Sequence, residues 1–91
     1  MEDVRFRIDY LEIVVKDHIP NLPKKIKVLI KKAIEERLMT HPLEFGKPLQ
    51  HSWKGHRRLR VGDYRIIYRI DVPKKMVTLV AIDHRKDVYD E

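Results

Sequence analysis

The chain contains no cysteine, so a disulfide framework, a thiolate metal site and a thiol nucleophile are all excluded, and cysteine usage says nothing about the redox compartment. Its three glycines, Gly46, Gly55 and Gly62, are spaced too far apart for a phosphate-cradling loop, which argues against nucleoside-triphosphate chemistry. The single serine, Ser52, has no elbow motif around it, which argues against a serine hydrolase. No apolar run approaches the roughly 20 residues that span a bilayer, and the start, Met1-Glu2-Asp3, is acidic where a signal peptide would be basic. A cytoplasmic protein with no membrane partner is expected. Internal repeats and low-complexity segments are absent too.

What is present is a chain of 91 residues, enough for one hydrophobic core and too short for two, so residues 1-91 are read as a single domain. Charged residues make up 37% and apolar ones 43%, a globular composition with a heavily charged surface. The formal net charge is +6. That excess favours a polyanionic partner, either nucleic acid, a membrane surface or an acidic protein, without choosing among them.

The most informative stretch is Arg57-Arg58-Leu59-Arg60-Val61-Gly62-Asp63-Tyr64-Arg65-Ile66-Ile67-Tyr68-Arg69. Two alternating runs flank Gly-Asp, the pattern of a β-hairpin. Residues two apart share a strand face, so Leu59, Val61, Tyr64, Ile66, Tyr68 and Ile70 form an apolar side. The other side carries His56, Arg58, Arg60, Arg65, Ile67 and Arg69. Singly, such arginines are solvated or lay their stems over apolar surface; four on one face predict a polyanion, with Arg58, Arg60 and Arg69 as RNA-binding residues beside Arg65.

Around the hairpin, Val4-Arg5-Phe6-Arg7-Ile8-Asp9-Tyr10 alternates strictly and predicts a half-buried first strand. Tyr10 to His18 is read as a short helix, although Ile13-Val14-Val15 would also suit a strand. Pro20 and Pro23 break the chain and open a longer helix to about Met39, with Asn21 or a neighbour as its cap and Ile26, Leu29, Ile30, Ala33, Ile34, Arg37 and Leu38 on one face. Its lysines, Lys24 to Lys32, read as a solvated face rather than a nucleic-acid groove. Leu43 to Gly55 is a loop in which Trp53 either pins the loop to the core or offers a platform for a base. After the turn Val72-Pro73-Lys74-Lys75, Met76 to Ile82 suits a central strand. The predicted class is therefore α+β in two layers: an N-terminal strand, two helices, a three-stranded antiparallel meander and a short C-terminal segment, with the arginine face of the sheet left open.

Five histidines, His18, His41, His51, His56 and His84, raise the question of a metal, but no pair has zinc-ligand spacing, and neither metal nor cofactor is expected. Chemistry on a phosphodiester remains. RNA is cut without a metal when a base takes the 2′-hydroxyl proton, cations stabilise the phosphate charge and an acid protonates the leaving 5′-oxygen. The hairpin offers the cations; His56, His84 and Tyr89 are the proton carriers within reach in this layout.

Gly46-Lys47-Pro48-Leu49, Arg58 to Tyr68, His84-Arg85-Lys86-Asp87-Val88-Tyr89 and the helix start Leu22-Pro23-Lys24 together resemble the RelE/ParE superfamily of bacterial and archaeal toxins. The resemblance spans nearly the whole chain. It implies a toxin neutralised by a co-expressed, RelB-like acidic antitoxin. In the RelE branch such a toxin cuts mRNA in the ribosomal A site; in the ParE branch it poisons DNA gyrase. Carried across residue by residue, the resemblance makes Arg65 and Arg85 phosphate-stabilising arginines and Tyr89 the residue that orients or deprotonates the nucleotide. His56 and Arg58 stand where RelE proper has lysines. Arg58 keeps the charge but is a poor proton carrier, which turns attention to His56 or His84 as the base. The leading expectation is a ribosome-dependent, metal-independent endoribonuclease. The alternatives are a gyrase inhibitor without chemistry of its own and an inactive RNA-binding module.

Overall fold

A computed structural model describes residues 5–84. Strand β1 is Arg7–Tyr10, followed by a wide, π-type helical turn at Val14–His18 closed by the Ile19 amide on the Val14 carbonyl at 2.9 Å. Helix α1, Lys24–Ala33, runs on into a second wide turn, Ile34–Leu38. A two-residue strand β2, Lys47–Pro48, and a 3₁₀ turn at His51–Trp53 lead into β3, Arg57–Val61, β4, Tyr64–Asp71, and β5, Met76–His84. The sheet has five strands in the order β1-β5-β4-β3-β2. Strands β2 to β5 pair antiparallel and β1 pairs parallel with β5. The predicted two-layer α+β class holds, with the short β2 as an addition. Val4 and the segment after His84, including the predicted C-terminal segment, lie outside the described residues.

The helical layer covers one face of the sheet. Val14, Leu22, Ile30, Ala33, Ile34 and Leu38 pack on Leu59, Val61, Ile66, Tyr68, Val77, Leu79 and Ile82. The buried stripe on the long helix is narrower than its periodicity suggested: Leu29 remains 47% exposed and Arg37 is also exposed. The wide turn explains the end of the stripe, because Met39 N–H reaches back five residues to the Ile34 carbonyl at 2.9 Å and keeps Ile34 and Leu38 on the core side. Asn21 does not cap the helix. Its side-chain amide donates to Asp17 Oδ1 at 3.1 Å, and Pro23 occupies the cap position.

Two departures shape the other face. Its centre is not open: Leu49 and Trp53 lie over Ile67, Val80 and Ala81 as a second small core. Trp53 thus serves as the pin of its loop. A bulge in β5 supplies part of that patch. Pairing steps from Ile67 with Ala81 to Tyr68 with Leu79, so Val80 is the extra residue and shifts the strand's alternation. Leu79 and Ile82, three apart, consequently both face the helices. Among the described residues no helix is long and apolar enough to cross a membrane.

Candidate functional site

The cationic residues collect where β2, β3 and β4 meet the loop after the long helix. Cross-strand partners share a face, and the register sets Lys47 opposite Arg58 and Arg60 opposite Arg65. These four side chains line a cleft of about 410 Å³ whose remaining wall is Glu44, Phe45, Gly46 and Leu59. Placing Arg60 directly against Arg65 is repulsive by itself and favours an anion between them. Arg65 carries the clearest signal: its Nε and Nη1 are buried without a hydrogen-bond partner among the described residues. Buried donors left unmade are costly, and an anion bound in the cleft would satisfy them. Asp83 stands across from Arg65 on β5, so the cleft has an acidic border on that side.

The other residues read from the sequence scatter. Arg69 is on the same strand face as Arg65, but it pairs with Thr78 and lines a separate hollow with Asp71 and Lys74. Four residues of strand rise put it about 13 Å from Arg65. His56 heads β3, stacks edge-on against Trp53 at 5.4 Å and has a buried Nδ1 without a partner among the described residues. It stands outside the cleft lining, at the end away from the hairpin turn. His84 pairs with Tyr64 and stacks against its ring at 5.0 Å, on the side of β5 opposite Asp83. His84, expected within reach of the hairpin cations, thus lies past the Val80 bulge on the side of β5 that faces Tyr64. Arg85 and Tyr89 lie outside the described residues.

A sequence family described as the ParE toxin of type II toxin-antitoxin systems, parDE, matches residues 6–89. The chain belongs to the RelE/ParE toxin superfamily. Within it, the chain is similar to Toxin RelG of Mycobacterium tuberculosis, 37% identical over 68 residues that cover 75% of this chain and 78% of that protein. It is also similar to Toxin RelE of the same organism, 32% identical over 78% of this chain and 73% of that protein. Among solved structures, the toxin-antitoxin complex RelBE2 from M. tuberculosis superposes with a TM-score of 0.82 at 30% identity, covering 89% of this chain and 99% of that one. The isolated E. coli RelE toxin shares the fold, with a TM-score of 0.71 at 18% identity over 87% and 83% of the two chains.

Superfamily membership makes the protein a toxin of a type II toxin–antitoxin system, and the structure adds residues that the sequence reading did not assign. Lys47 joins the cations through a two-residue strand too short to be seen in periodicity. Glu44 is the only carboxylate lining the cleft among the described residues. A second hollow of about 540 Å³ between α1 and β1 is lined mainly by apolar residues such as Ile8, Ile30 and Met39. Lys27 and Lys31 also line it, but they stand beside Glu35 and no orphaned buried donor points there among the described residues, so it is not where phosphate chemistry belongs.

Proposed function

We propose that this toxin is a ribosome-dependent endoribonuclease that cleaves mRNA in the ribosomal A site and so stops translation. The observation that carries the reading is the cleft, with Arg58, Arg60 and Arg65 beside Lys47 and two orphan donors on Arg65. Such a site is built for a phosphodiester. In the reaction a base removes the proton of the 2′-hydroxyl, and that oxygen attacks the adjacent phosphorus. The bond to the 5′-oxygen breaks as an acid protonates it, leaving a cyclic phosphate and a 5′-hydroxyl. No metal ion is required by this scheme.

Arg65 holds the non-bridging oxygens of the scissile phosphate, where negative charge builds, and Arg58 and Arg60 hold the flanking backbone. Arg85 and Tyr89 complete the site in the roles that the family resemblance implies, the first on the phosphate and the second on the nucleotide. Inside the cleft the proton acceptor is Glu44; His56 stands outside the lining, four residues of strand from Arg60, and reaches the reaction only if the RNA extends along β3, while His84, turned toward Tyr64, has no role in this scheme. The partner that restrains the toxin is a RelB-like acidic antitoxin, whose carboxylates match the cationic cleft. The RelBE2 complex, to which this chain is similar, pairs a toxin with its antitoxin. The site of action is the cytoplasm, where the ribosomes are.

The test is induction of the toxin in a bacterium, with protein synthesis and chromosome supercoiling followed over the first minutes. An immediate fall in amino-acid incorporation with unchanged supercoiling is expected. Loss of supercoiling ahead of translation would replace this reading with gyrase inhibition.

A further inference from the structure

We infer that Arg57 and Tyr68, neither of which lines the cleft, are positioning residues that set its movable wall. The two are cross-strand partners and therefore share a sheet face. The Tyr68 ring is fully buried in the main core. Their polar ends gather the backbone of the loop after the long helix. Tyr68 Oη lies 2.9 Å from the Pro42 carbonyl and 2.7 Å from that of Phe45, and its one proton is shared between them. Arg57 Nη2 donates to the Leu43 carbonyl at 3.0 Å and to the Gly46 carbonyl at 3.1 Å. Four carbonyls between Pro42 and Gly46 are thus held by two side chains. Glu44, Phe45 and Gly46 of this loop, together with Lys47 immediately after it, make one wall of the cleft.

The loop's other ties are mostly within its own end of the chain: the Glu44 and Phe45 amides both donate to the His41 carbonyl at 3.1 Å, Phe45 meets the His41 ring and the Arg37 guanidinium, and Pro42 is fully buried. Strand β2 pairs through only Lys47 and Pro48, and proline has no amide to donate. Beyond it, the Leu49 amide bonds the His56 carbonyl at 2.9 Å, which anchors the chain after the wall rather than before it. Gly46 shows how closely the loop is drawn in. Its φ is +76°, and an added Cβ would meet the Tyr68 hydroxyl and come within 2.8 Å of the Arg58 carbonyl. Removing the Tyr68 hydroxyl or the Arg57 fork therefore frees the wall and moves Lys47 out of register with Arg58, while the arginines of β3 and β4 stay in place. The consequence for RNA rests on the phosphate-binding reading of the cleft.

Two measurements on the full chain test the inference. Hydrogen exchange compares the wild type with Tyr68→Phe and Arg57→Leu. Exchange over 44–47 should quicken by about threefold to tenfold, the value of one net hydrogen bond, with the β4–β5 ladder unchanged. Binding of a fluorescein-labelled single-stranded RNA is then measured against salt for Tyr68→Phe, Lys47→Ala and the double variant. The two single variants should lower the slope of log K against log salt alike, by about 0.7 for one lost phosphate contact. The double variant should be no weaker than Lys47→Ala alone. A role in stability alone would lower the melting temperature but leave the losses additive and the slope of Tyr68→Phe unchanged. Unchanged exchange over 44–47 overturns the positioning role whatever the RNA does. Faster exchange with additive RNA losses overturns its link to the cleft. Absence of RNA binding by the wild type counts against the proposed function of the cleft, and the exchange data then decide the positioning role alone.

Discussion

Replacing Gly46 by alanine should be the most damaging single-methyl change in the chain, and its cost can be separated into parts. At φ +76° an L-residue is strained, which costs about 1 to 2 kcal/mol. The new Cβ also collides with the Tyr68 hydroxyl and the Arg58 carbonyl. Relieving that contact pulls the hydroxyl from the Pro42 and Phe45 carbonyls, a buried hydrogen-bond loss of about 1 to 3 kcal/mol. The sum, about 2 to 5 kcal/mol, is a large part of a small domain's stability, and at about 4 to 8 °C per kcal/mol it lowers the melting temperature by at least about 8 °C. Gly62 is the control. Its φ is +60° and nothing stands within 4 Å of an added Cβ, so Gly62→Ala carries the conformational cost alone, about 1 to 2 kcal/mol. Urea unfolding followed by fluorescence of the single tryptophan, Trp53, should place Gly46→Ala at least about 1 kcal/mol below Gly62→Ala, since a lost buried hydrogen bond separates them. Equal midpoints with equal slopes would refute the claim that Tyr68 and the loop are packed tightly together.

Other outcomes follow from the same geometry. Arg65→Ala should weaken binding of single-stranded RNA far more than Arg69→Ala, measured side by side at one salt concentration, because only Arg65 lines the cleft. Burial raises the Tyr68 pKa above the ordinary value, and the nearby Arg57 only partly opposes this. The folded state therefore holds that proton more tightly than the unfolded one, so stability is intact below about pH 10 and falls as the pH rises beyond it. Urea midpoints measured from neutral to alkaline pH should show this decline, and Tyr68→Phe should reduce it, leaving the part due to Tyr10, whose pKa burial and Glu35 also raise. Trp53→Ala strips the cover from Ile67 and Ala81 and should cost about 2 kcal/mol by circular dichroism, less than a fully buried aromatic. Breaking the exposed Lys16–Glu12 pair, 3.0 Å apart, with Glu12→Ala should change stability by less than about 0.5 kcal/mol.

Much of the fold was legible because its signals are local. Alternation around Gly62 located the hairpin, Pro20 and Pro23 marked the helix start, and the apolar run from Met76 placed the strand that lies between β1 and β4. The arginine face was legible for the same reason, since side-chain direction in a regular strand follows from counting by two. Two features escaped. The bulge at Val80 changes the count midway along β5, and periodicity cannot reveal it when every neighbour is apolar; beyond it His84 pairs with Tyr64 and faces away from the arginines. The loop from Pro42 to Trp53 is ordered by long-range bonds to Tyr68 and Arg57 and by Trp53 packing on Ile67, contacts that no local pattern encodes. Lys47 and Glu44 entered the site through that loop, and Arg69 left it because sharing a face is not the same as sharing a cleft.

Cleavage mapping tests the central claim most directly. A defined mRNA is translated in a purified system with wild-type toxin, with Arg65→Ala and with no toxin, and the 3′ boundaries of the products are read by reverse transcription. Discrete cuts at the codon in the A site are expected, dependent on ribosomes and lost in Arg65→Ala. Intact mRNA with the wild type, or cuts that persist in Arg65→Ala, would contradict it.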